Sequence, residues 1–505
     1  MSARRPNILF VMADQLTAGI LPPYGGAADT PNLEQLAAEG VVFDHAYCNM
    51  PLCAPSRASL LAGRLPSALG TYDNGAEFAA SVPTIAHYLR ASGYATCLAG
   101  KMHFIGPDQL HGFEERLTTD VYTAGLDWVP DWSLPLSERL PWYHDLGSVL
   151  DAGVSEATLQ LDYDEEVAFH AVRKLYDLGR THERPFFFLV SFTHPHDPYE
   201  IPRPYWDRYE QRALAAPSVG RLAPEEQDPH SRRVLEMCGA DEIELDAEAV
   251  ARARRAYHAA TSYVDDKLGE LLRALDAAGL RDDTVVVFAS DHGDMLGERG
   301  LWYKMNFFED SARVPLVVHA PKRCAPARVV ANVSLLDLLP TFVELAGNDA
   351  LEPIEPLAGN SLLPLIRAET LERTGVVLGE YLAEGTYAPC VMILDGRLKY
   401  VHCPGDPDQL YDLQTDPLEL ANLARSSEHK ASVRSLRARV DEHWNLDAVA
   451  RDIVASQRRR LFVSQALASG RQAVWDYSPP DGSAARYVRG RNFWEPFDRA
   501  RLRVD

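Results

Sequence analysis

Residues 284–293 read TVVVFASDHG. Consecutive valines followed by a phenylalanine have the composition of a strand covered on both faces rather than one with a wet side. The run stops at Asp291-His292-Gly293, so the strand delivers two ionisable groups at its carboxyl end. Three other segments share this plan. NILFVMA (7–13) runs into Asp14, and FFFLVSF (186–192) runs into Thr193-His194-Pro195-His196-Asp197. GYATCLAGKMHF (93–104) carries Lys101 and His103, and PLVVHA (315–320) is a further apolar run. Helical patterns lie between them. TPNLEQLAAEG (30–40) offers Thr30 as N-cap, Pro31 in the first turn and Gly40 at the exit. Residues 250–280 form a long amphipathic stretch. Strands alternating with helices predict an α/β fold, a mostly parallel sheet flanked by helices on both faces. In such sheets ligands bind beyond the carboxyl ends of the strands. The ionisable residues at those ends are therefore expected along one edge.

The pattern changes after about residue 375. GVVLGEYL, CVMILDGRLKYVHC and QLYDL read as strands of a small antiparallel sheet, and charge-rich helical sequence follows from about 428 to 470. The expected division is a catalytic α/β domain over 1–375, a smaller C-terminal α+β subdomain over 376–440, and a helical region with an extended tail over 441–505. The tail from Trp475 onward is rich in proline, arginine and aromatics. It cannot build its own core, so it is expected on another surface of this subunit or of a neighbour.

The 505 residues carry 50 basic against 72 acidic side chains, a net charge of −22 that argues against nucleic acid and anionic membranes as partners. Seven cysteines at irregular spacing, with no CxxC pair, do not make a disulfide framework. The opening MSARRPNILFVMADQL has an apolar run too short for a signal peptide, ending in an acid. No run approaches the roughly 20 apolar residues needed to span a bilayer. A cytoplasmic protein is expected.

Asp14, Asp291 and His292 offer donors for a divalent cation, and carboxylate oxygens favour Ca²⁺, Mg²⁺ or Mn²⁺. Such a cation polarises a sulfuryl or phosphoryl oxygen. Arg57, Lys101 and Lys304 are placed to neutralise non-bridging oxygens, and two histidines to move protons. PLCAPSRASLLAGR (51–64) adds Cys53, with Arg57 one helical turn further on. Each residue has a plainer reading: an aspartate after a strand is often a helix cap, and a cysteine often packs as a small hydrophobe. Their convergence on one edge favours a site.

Cys53-Ala54-Pro55-Ser56-Arg57, with Gly63 following, resembles the signature of the type I sulfatases, in which Cys-x-Pro-Ser-Arg directs oxidation of the cysteine to formylglycine. The resemblance implies an alkaline-phosphatase-like fold. YDNGAEF (72–78), GKMHFIGPDQLHGFEERLTTD (100–120), SFTHPHDPY (191–199), SDHGDMLGERGLWYKMNFFE (290–309) and, near the C-terminus, SQRRR (456–460), WDY (475–477) and RYVRGR (486–491) resemble the choline-sulfatase branch of that family. The implied metal ligands are Asp14, Asp291, His292 and the modified Cys53, with Ca²⁺ the first expectation. Arg57 and Lys101 would hold the hydrated formylglycine, His103 would be the base and His196 the proton donor, and Lys304 would bind sulfate oxygens. The implied substrate is choline O-sulfate, and the implied partners are a formylglycine-generating maturation system and a second or fourth copy of the chain, joined through the tail. Gln15 stands where many members have another aspartate, and His292 where many have asparagine. Phosphonate monoester hydrolases share this pattern, so a phosphonate monoester or phosphodiester hydrolase is the alternative.

A quaternary ammonium has no N–H and is recognised by aromatic faces and carboxylates. Trp128, Trp132, Trp142, Tyr143 and His144 cluster in the sequence, and Glu380 and Glu384 lie in the small sheet. The resemblance favours Asn74, Trp128, His144 and one of the two glutamates, Glu380 being placed first.

Overall fold

The computed structural model describes residues 5–135, 144–181, 183–348, 351–370, 375–471, 474–481, 486–487 and 494–502. Trp142, Tyr143 and most of RYVRGR lie outside the described residues. In chain order the strands are β1 (Asn7–Ala13), β2 (Val41–Tyr47), β3 (Ala95–Gly100), β4 (Glu115–Arg116), β5 (Gly153–Val154), β6 (Phe186–Ser191), β7 (Glu200–Ile201) and β8 (Thr284–Ser290). They continue as β9 (Arg313–Val314), β10 (Leu316–His319), β11 (Ala327–Ser334), β12 (Val377–Tyr381), β13 (Cys390–Asp395), β14 (Leu398–His402) and β15 (Gln409–Asp412). The main sheet has the order β11-β2-β10-β8-β1-β6-β3-β4, with β9 added on β2; β5 and β7 pair separately.

Four neighbours in the middle, β8, β1, β6 and β3, are mutually parallel. Their registers set Ala13 opposite Ser290, and both Met12 and Gly100 opposite Ser191. The residues just past these ends, Asp14, Asp291, Lys101 and the Thr193–Asp197 loop, therefore share one edge, as the apolar runs predicted. β10 departs from the parallel plan, pairing antiparallel with both β8 and β2, and the short β9 is antiparallel to β2 as well. An apolar run covered on both faces carries no signal for direction, so PLVVHA alone could not reveal this.

The pleat of β1 sends Leu9, Val11 and Ala13 into one apolar layer and Ile8, Phe10 and Met12 into the other. The first layer packs on the helices Leu159–Arg180 and Ala247–Ala277, the second on Cys53–Ala62, Ile85–Ala91 and Leu338–Leu345. The helix Pro31–Glu39 forms where expected, but the Thr30 side chain does not cap it. Asp265, buried on the helix Ala247–Ala277, accepts from the N–H groups of Asn32 and Leu33 at 3.0 and 2.7 Å. Tertiary contact thus replaces the local cap.

The small antiparallel sheet runs β12-β13-β14-β15. Val391, Ile393 and Tyr400 on it pack against Leu436, Val440 and Trp444 of the helix Lys430–His443 and the residue after it. The next helix, Leu446–Leu467, returns to the main domain and turns Ile453, Gln457 and Arg460 inward, a spacing that lines one helical face. Trp475 packs near Ile105, Leu126 and Val129, and the Asp476 carboxylate accepts from Ala124 N–H at 2.8 Å. This part of the tail lies on its own subunit. No helix among the described residues is long and apolar enough to cross a membrane.

Candidate active site

Cys53 opens the helix Cys53–Ala62, every residue of which is buried. Its Sγ lies 3.2 Å from His292 Nε2, 3.7 Å from Asp14 Oδ1 and 3.8 Å from Lys101 Nζ. His292 donates from Nδ1 to the Gly293 carbonyl at 3.0 Å, which leaves Nε2 as the acceptor facing the cysteine. One donor atom each from Asp14, Cys53, Asp291 and His292 all fall within 4.8 Å of one another. Two carboxylates, an imidazole nitrogen and the side chain of residue 53, all buried, fit a small divalent cation.

Cations surround this group. Arg57 donates from Nε to Asp291 at 2.8 Å and from Nη1 to Ser191 Oγ at 2.8 Å, with Nη2 3.5 Å from Asp14. The Lys101 ammonium pairs with Asp14 and sits 4.3 Å from the centre of the Tyr122 ring. The Asp14 carboxyl lies well below the usual range: burial opposes ionisation, but Lys101 and the neighbouring basic groups outweigh it. Burial and Asp14 push the Cys53 thiol up to about 11, overriding the acidity that a helix N-terminus ordinarily confers. At neutral pH residue 53, as cysteine, is not a thiolate nucleophile.

Lys304 donates to Gln15 Oε1 and lies 2.9 Å from His196 Nε2, while His196 donates from Nδ1 to the Asp197 carbonyl at 2.6 Å. Burial and Lys304 hold the His196 pKa well below the ordinary value. The ring is thus held neutral, with Nε2 facing the Lys304 ammonium. His144 joins it, with Nδ1 2.9 Å from Asp197 Oδ2. His144, His196 and Asp197 are close enough to ligate an ion, but the Lys304 charge against His196 Nε2 disfavours a second cation and suits a proton relay. Burial and Lys101 bring His103 down to about 3. Its backbone has φ +57°, a strained conformation held where Met102 and His103 N–H groups both donate to Asp120 at 2.9 Å.

Gln15 explains its own presence. Its Nε2 donates to Asp294 at 2.7 Å and Asp197 at 3.1 Å, while Oε1 accepts from Lys304. An aspartate here would face two other carboxylates and have no proton to give them. Asp294 also accepts from Tyr199, Leu296 and Tyr303, and burial raises it to about 6.

At the other end of the site, Asn74 Oδ1 accepts from Ala54 N–H at 3.0 Å. Gly75 abuts the Trp128 backbone so closely that a Cβ would lie 2.6 Å from the Trp128 carbonyl carbon. The Trp128 ring stands 5.4 Å from His103, nearly perpendicular, and 5.0 Å from Tyr122. Trp132 is instead a brace, its indole N–H donating to the Ala383 carbonyl at 3.2 Å. The two glutamates separate clearly. Glu380 accepts from Ser67 N–H at 2.8 Å and from the Trp444 indole at 2.5 Å, so its carboxylate is consumed in joining the small sheet to its surroundings. Glu384 is buried with Oε1 lacking a hydrogen-bond partner among the described residues, and Lys304 and Cys53 act on its charge. Of the two, Glu380 has its oxygens engaged and Glu384 keeps one oxygen without a hydrogen-bond partner among the described residues. A glutamate's position in a strand does not say which neighbours will saturate it.

Sequence reasoning missed Tyr122, Asp120 and Asp294. Asp294 follows Asp291 by three residues after a buried strand, a signal that pointed to it. Tyr122 lies in an irregular segment with no periodicity to read.

Comparison with known proteins agrees with this geometry. Residues 6–348 match the sulfatase family model, 297–445 the N-sulphoglucosamine sulphohydrolase C-terminal model, and 451–501 the choline sulfatase enzyme C-terminal model. The chain is 49% identical over 501 residues to a choline-sulfatase of Rhizobium meliloti (strain 1021), covering 97% of this chain and 96% of that protein. It is 29% identical to an arylsulfatase of Clostridium perfringens (strain 13 / Type A), covering 86% and 93%. A crystal structure of phosphonate monoester hydrolase of Agrobacterium radiobacter superposes with a TM-score of 0.70 at 26% identity, covering 88% and 96%. A sheet edge bearing this acid, base and cysteine set is thus that of a sulfuric ester hydrolase. The chain belongs to the sulfatase family, and its last part carries the choline sulfatase C-terminal domain.

Proposed function

We propose that this sulfatase hydrolyses choline O-sulfate to choline and inorganic sulfate, with Cys53 oxidised to formylglycine. The observation that carries the substrate is Glu384, a buried carboxyl group with one oxygen lacking a hydrogen-bond partner among the described residues and close enough to Lys304 and Cys53 to feel their charge, while Trp128 and Tyr122 pack edge to face beside His103. A trimethylammonium group needs such an anion and such faces. A phosphonate or phosphodiester hydrolase has no use for either, and the likeness to the choline-sulfatase extends over nearly the whole chain.

The hydrated aldehyde supplies one hydroxyl that attacks sulfur and becomes sulfated as the S–O bond to choline breaks, and, on the same carbon, a second hydroxyl whose deprotonation breaks the C–O bond to sulfate, expelling it and restoring the carbonyl. A divalent cation held by Asp14, Asp291, His292 and residue 53, with Ca²⁺ expected before Mg²⁺ or Mn²⁺, supplies Lewis acidity to a sulfate oxygen. Arg57 and Lys101 orient residue 53 and offset charge on it. Lys304 binds a sulfate oxygen; its proton passes to His196 Nε2 and from that nitrogen to the departing choline oxygen, and the proton lost by the attacking hydroxyl restores the lysine. His103 stands on the Trp128 side as a neutral base for the second hydroxyl. Asn74 and His144 shape the wall between the two ends.

Relative kcat/KM on choline O-sulfate and on its isostere without the ammonium charge, 3,3-dimethylbutyl sulfate, tests the reading. Losing one partner of a buried charge pair costs about 2–5 kcal/mol, so at about pH 9, where Glu384 is ionised, Glu384→Gln is expected to raise KM for the choline ester at least about 30-fold, and less at neutral pH. The isostere should barely respond. Burial, with Asp73 adding to it, raises the Glu384 carboxyl to about 8, so below that pH the free enzyme holds it protonated and uncharged. KM for choline O-sulfate should therefore fall as pH rises through about 8, and the isostere should not show this dependence. A pH-independent ratio between the two esters would remove Glu384 from the ammonium site.

The reading includes a cytoplasmic enzyme that assembles as a homodimer or homotetramer near its C-terminus, where Phe462, Val463 and Val474 are exposed. Sedimentation of the full chain should show the oligomer, and Phe462→Glu should shift it toward monomer.

A further inference from the structure

Of the three arginines in SQRRR, Arg458 and Arg459 are exposed and Arg460 turns inward. It makes a two-pronged ion pair with Asp73, Nη1 to Oδ1 at 2.7 Å and Nη2 to Oδ2 at 2.8 Å, with Asp73 fully buried and Arg460 8% exposed. Gln457, one turn earlier on the same helix face, accepts from Trp132 N–H through Oε1 at 2.9 Å. Neither side chain is required by the chemistry of sulfate transfer, yet Arg460 ends at the residue before Asn74, and Gln457 ends at Trp132, which itself reaches the residue before Glu384. Asp73 precedes Asn74, which is fixed to Ala54 beside Cys53, and Gly75, which abuts Trp128. Asp73 Oδ1 also accepts from Gly75 N–H at 3.0 Å, so the turn is tied at both ends. Trp132 in turn holds the carbonyl of Ala383, the residue before Glu384.

We propose that Arg460 and Gln457 are positioning residues that set selectivity for a cationic alcohol from outside the pocket, by fixing the Asp73–Gly75 turn against Trp128 and the Ala383–Glu384 segment. The proposal rests on the choline O-sulfate reading. It assigns the C-terminal helix a part in specificity, with the guanidinium fork acting where a lysine's single point charge would not hold both oxygens. Arg460 also keeps Asp73 from standing as a second unpaired anion beside Glu384. One paired and one unpaired carboxylate give a single defined seat for the cation.

The test compares the full-length wild type with Asp73→Asn/Arg460→Met and with Gln457→Met, on choline O-sulfate, 3,3-dimethylbutyl sulfate and 4-nitrophenyl sulfate. Replacing both members of a buried ion pair is often near neutral for stability, so the double variant should melt close to wild type. It also leaves net charge unchanged, so an altered KM reports position rather than field. The expected result for the double variant is a KM for choline O-sulfate raised about tenfold, with kcat and the constants for the two esters that lack an ammonium group within about twofold. Gln457→Met should shift the same KM in the same direction. Arg460→Lys should lie between wild type and the double variant. A wild-type KM for choline O-sulfate in the double variant would overturn the proposal. Equal losses on all three esters would also overturn it, since they mark a merely structural clamp. If wild type itself does not prefer choline O-sulfate to its isostere, the substrate reading fails first and the proposal falls with it.

Discussion

Replacing Cys53 by alanine is expected to abolish sulfate-ester turnover, by about 10⁴-fold or more, while leaving the folded chain intact. The side chain is small and sits at a helix start, so alanine opens little space and costs no cap. The thiol itself is a poor nucleophile here, since burial beside Asp14 keeps it protonated at neutral pH. On the formylglycine reading, peptides spanning residues 51–57 of active protein should show the aldehyde mass and trap a hydrazine. Cys53→Ser should be nearly as inactive as Cys53→Ala, because a single hydroxyl lacks the second one that restores the starting state. Fully active enzyme with a quantitative free thiol would refute this chemistry.

Asp291→Asn should lower bound divalent metal and reduce kcat about 10³-fold, as expected where an electrostatic contact to developing charge is lost. The asparagine keeps the shape and one acceptor oxygen for the N–H groups of Gln15 and His292, both at 3.0 Å in the native site. Asp291→Ala would be a poorer probe, because it strands the buried Arg57 guanidinium and is expected to cost about 3–5 kcal/mol of stability. Chelation of the wild type should reproduce the kinetic loss, and adding back Ca²⁺, Mg²⁺ and Mn²⁺ separately should rank the ions. Metal-free protein turning over at the native rate would remove Asp14, Asp291 and His292 from the roles given to them.

Where the chain was legible, it was so because burial on both sides of a strand leaves an apolar run, and function interrupts that run abruptly. TVVVFAS ending in Asp291-His292 and NILFVMA ending in Asp14 located the edge and its contents before any coordinate was known. The parallel registers of β1, β3, β6 and β8 then brought them together. The direction of β10 was hidden, because it is set by the connection and not by side chains. The cap of the helix Pro31–Glu39 was hidden as well, since Asp265 lies more than two hundred residues away. The ammonium end was least legible. Glu380 and Glu384 share type and neighbourhood, and only the presence of Ser67 and Trp444 beside one of them reveals which is left over. The pairing of Asp73 with Arg460 spans 387 positions, and nothing local in either segment announces it.

The complete burial of the helix Cys53–Ala62 has a consequence for when, rather than how, the enzyme becomes competent. A second protein cannot reach a side chain that is 1% exposed in the folded chain. Any catalyst that oxidises Cys53 must meet residues 51–57 as extended chain, before the sheet closes over them. Competence is then decided once per molecule, at birth, and the fraction of active copies records a race between oxidation and folding that later treatment of the folded protein does not rerun.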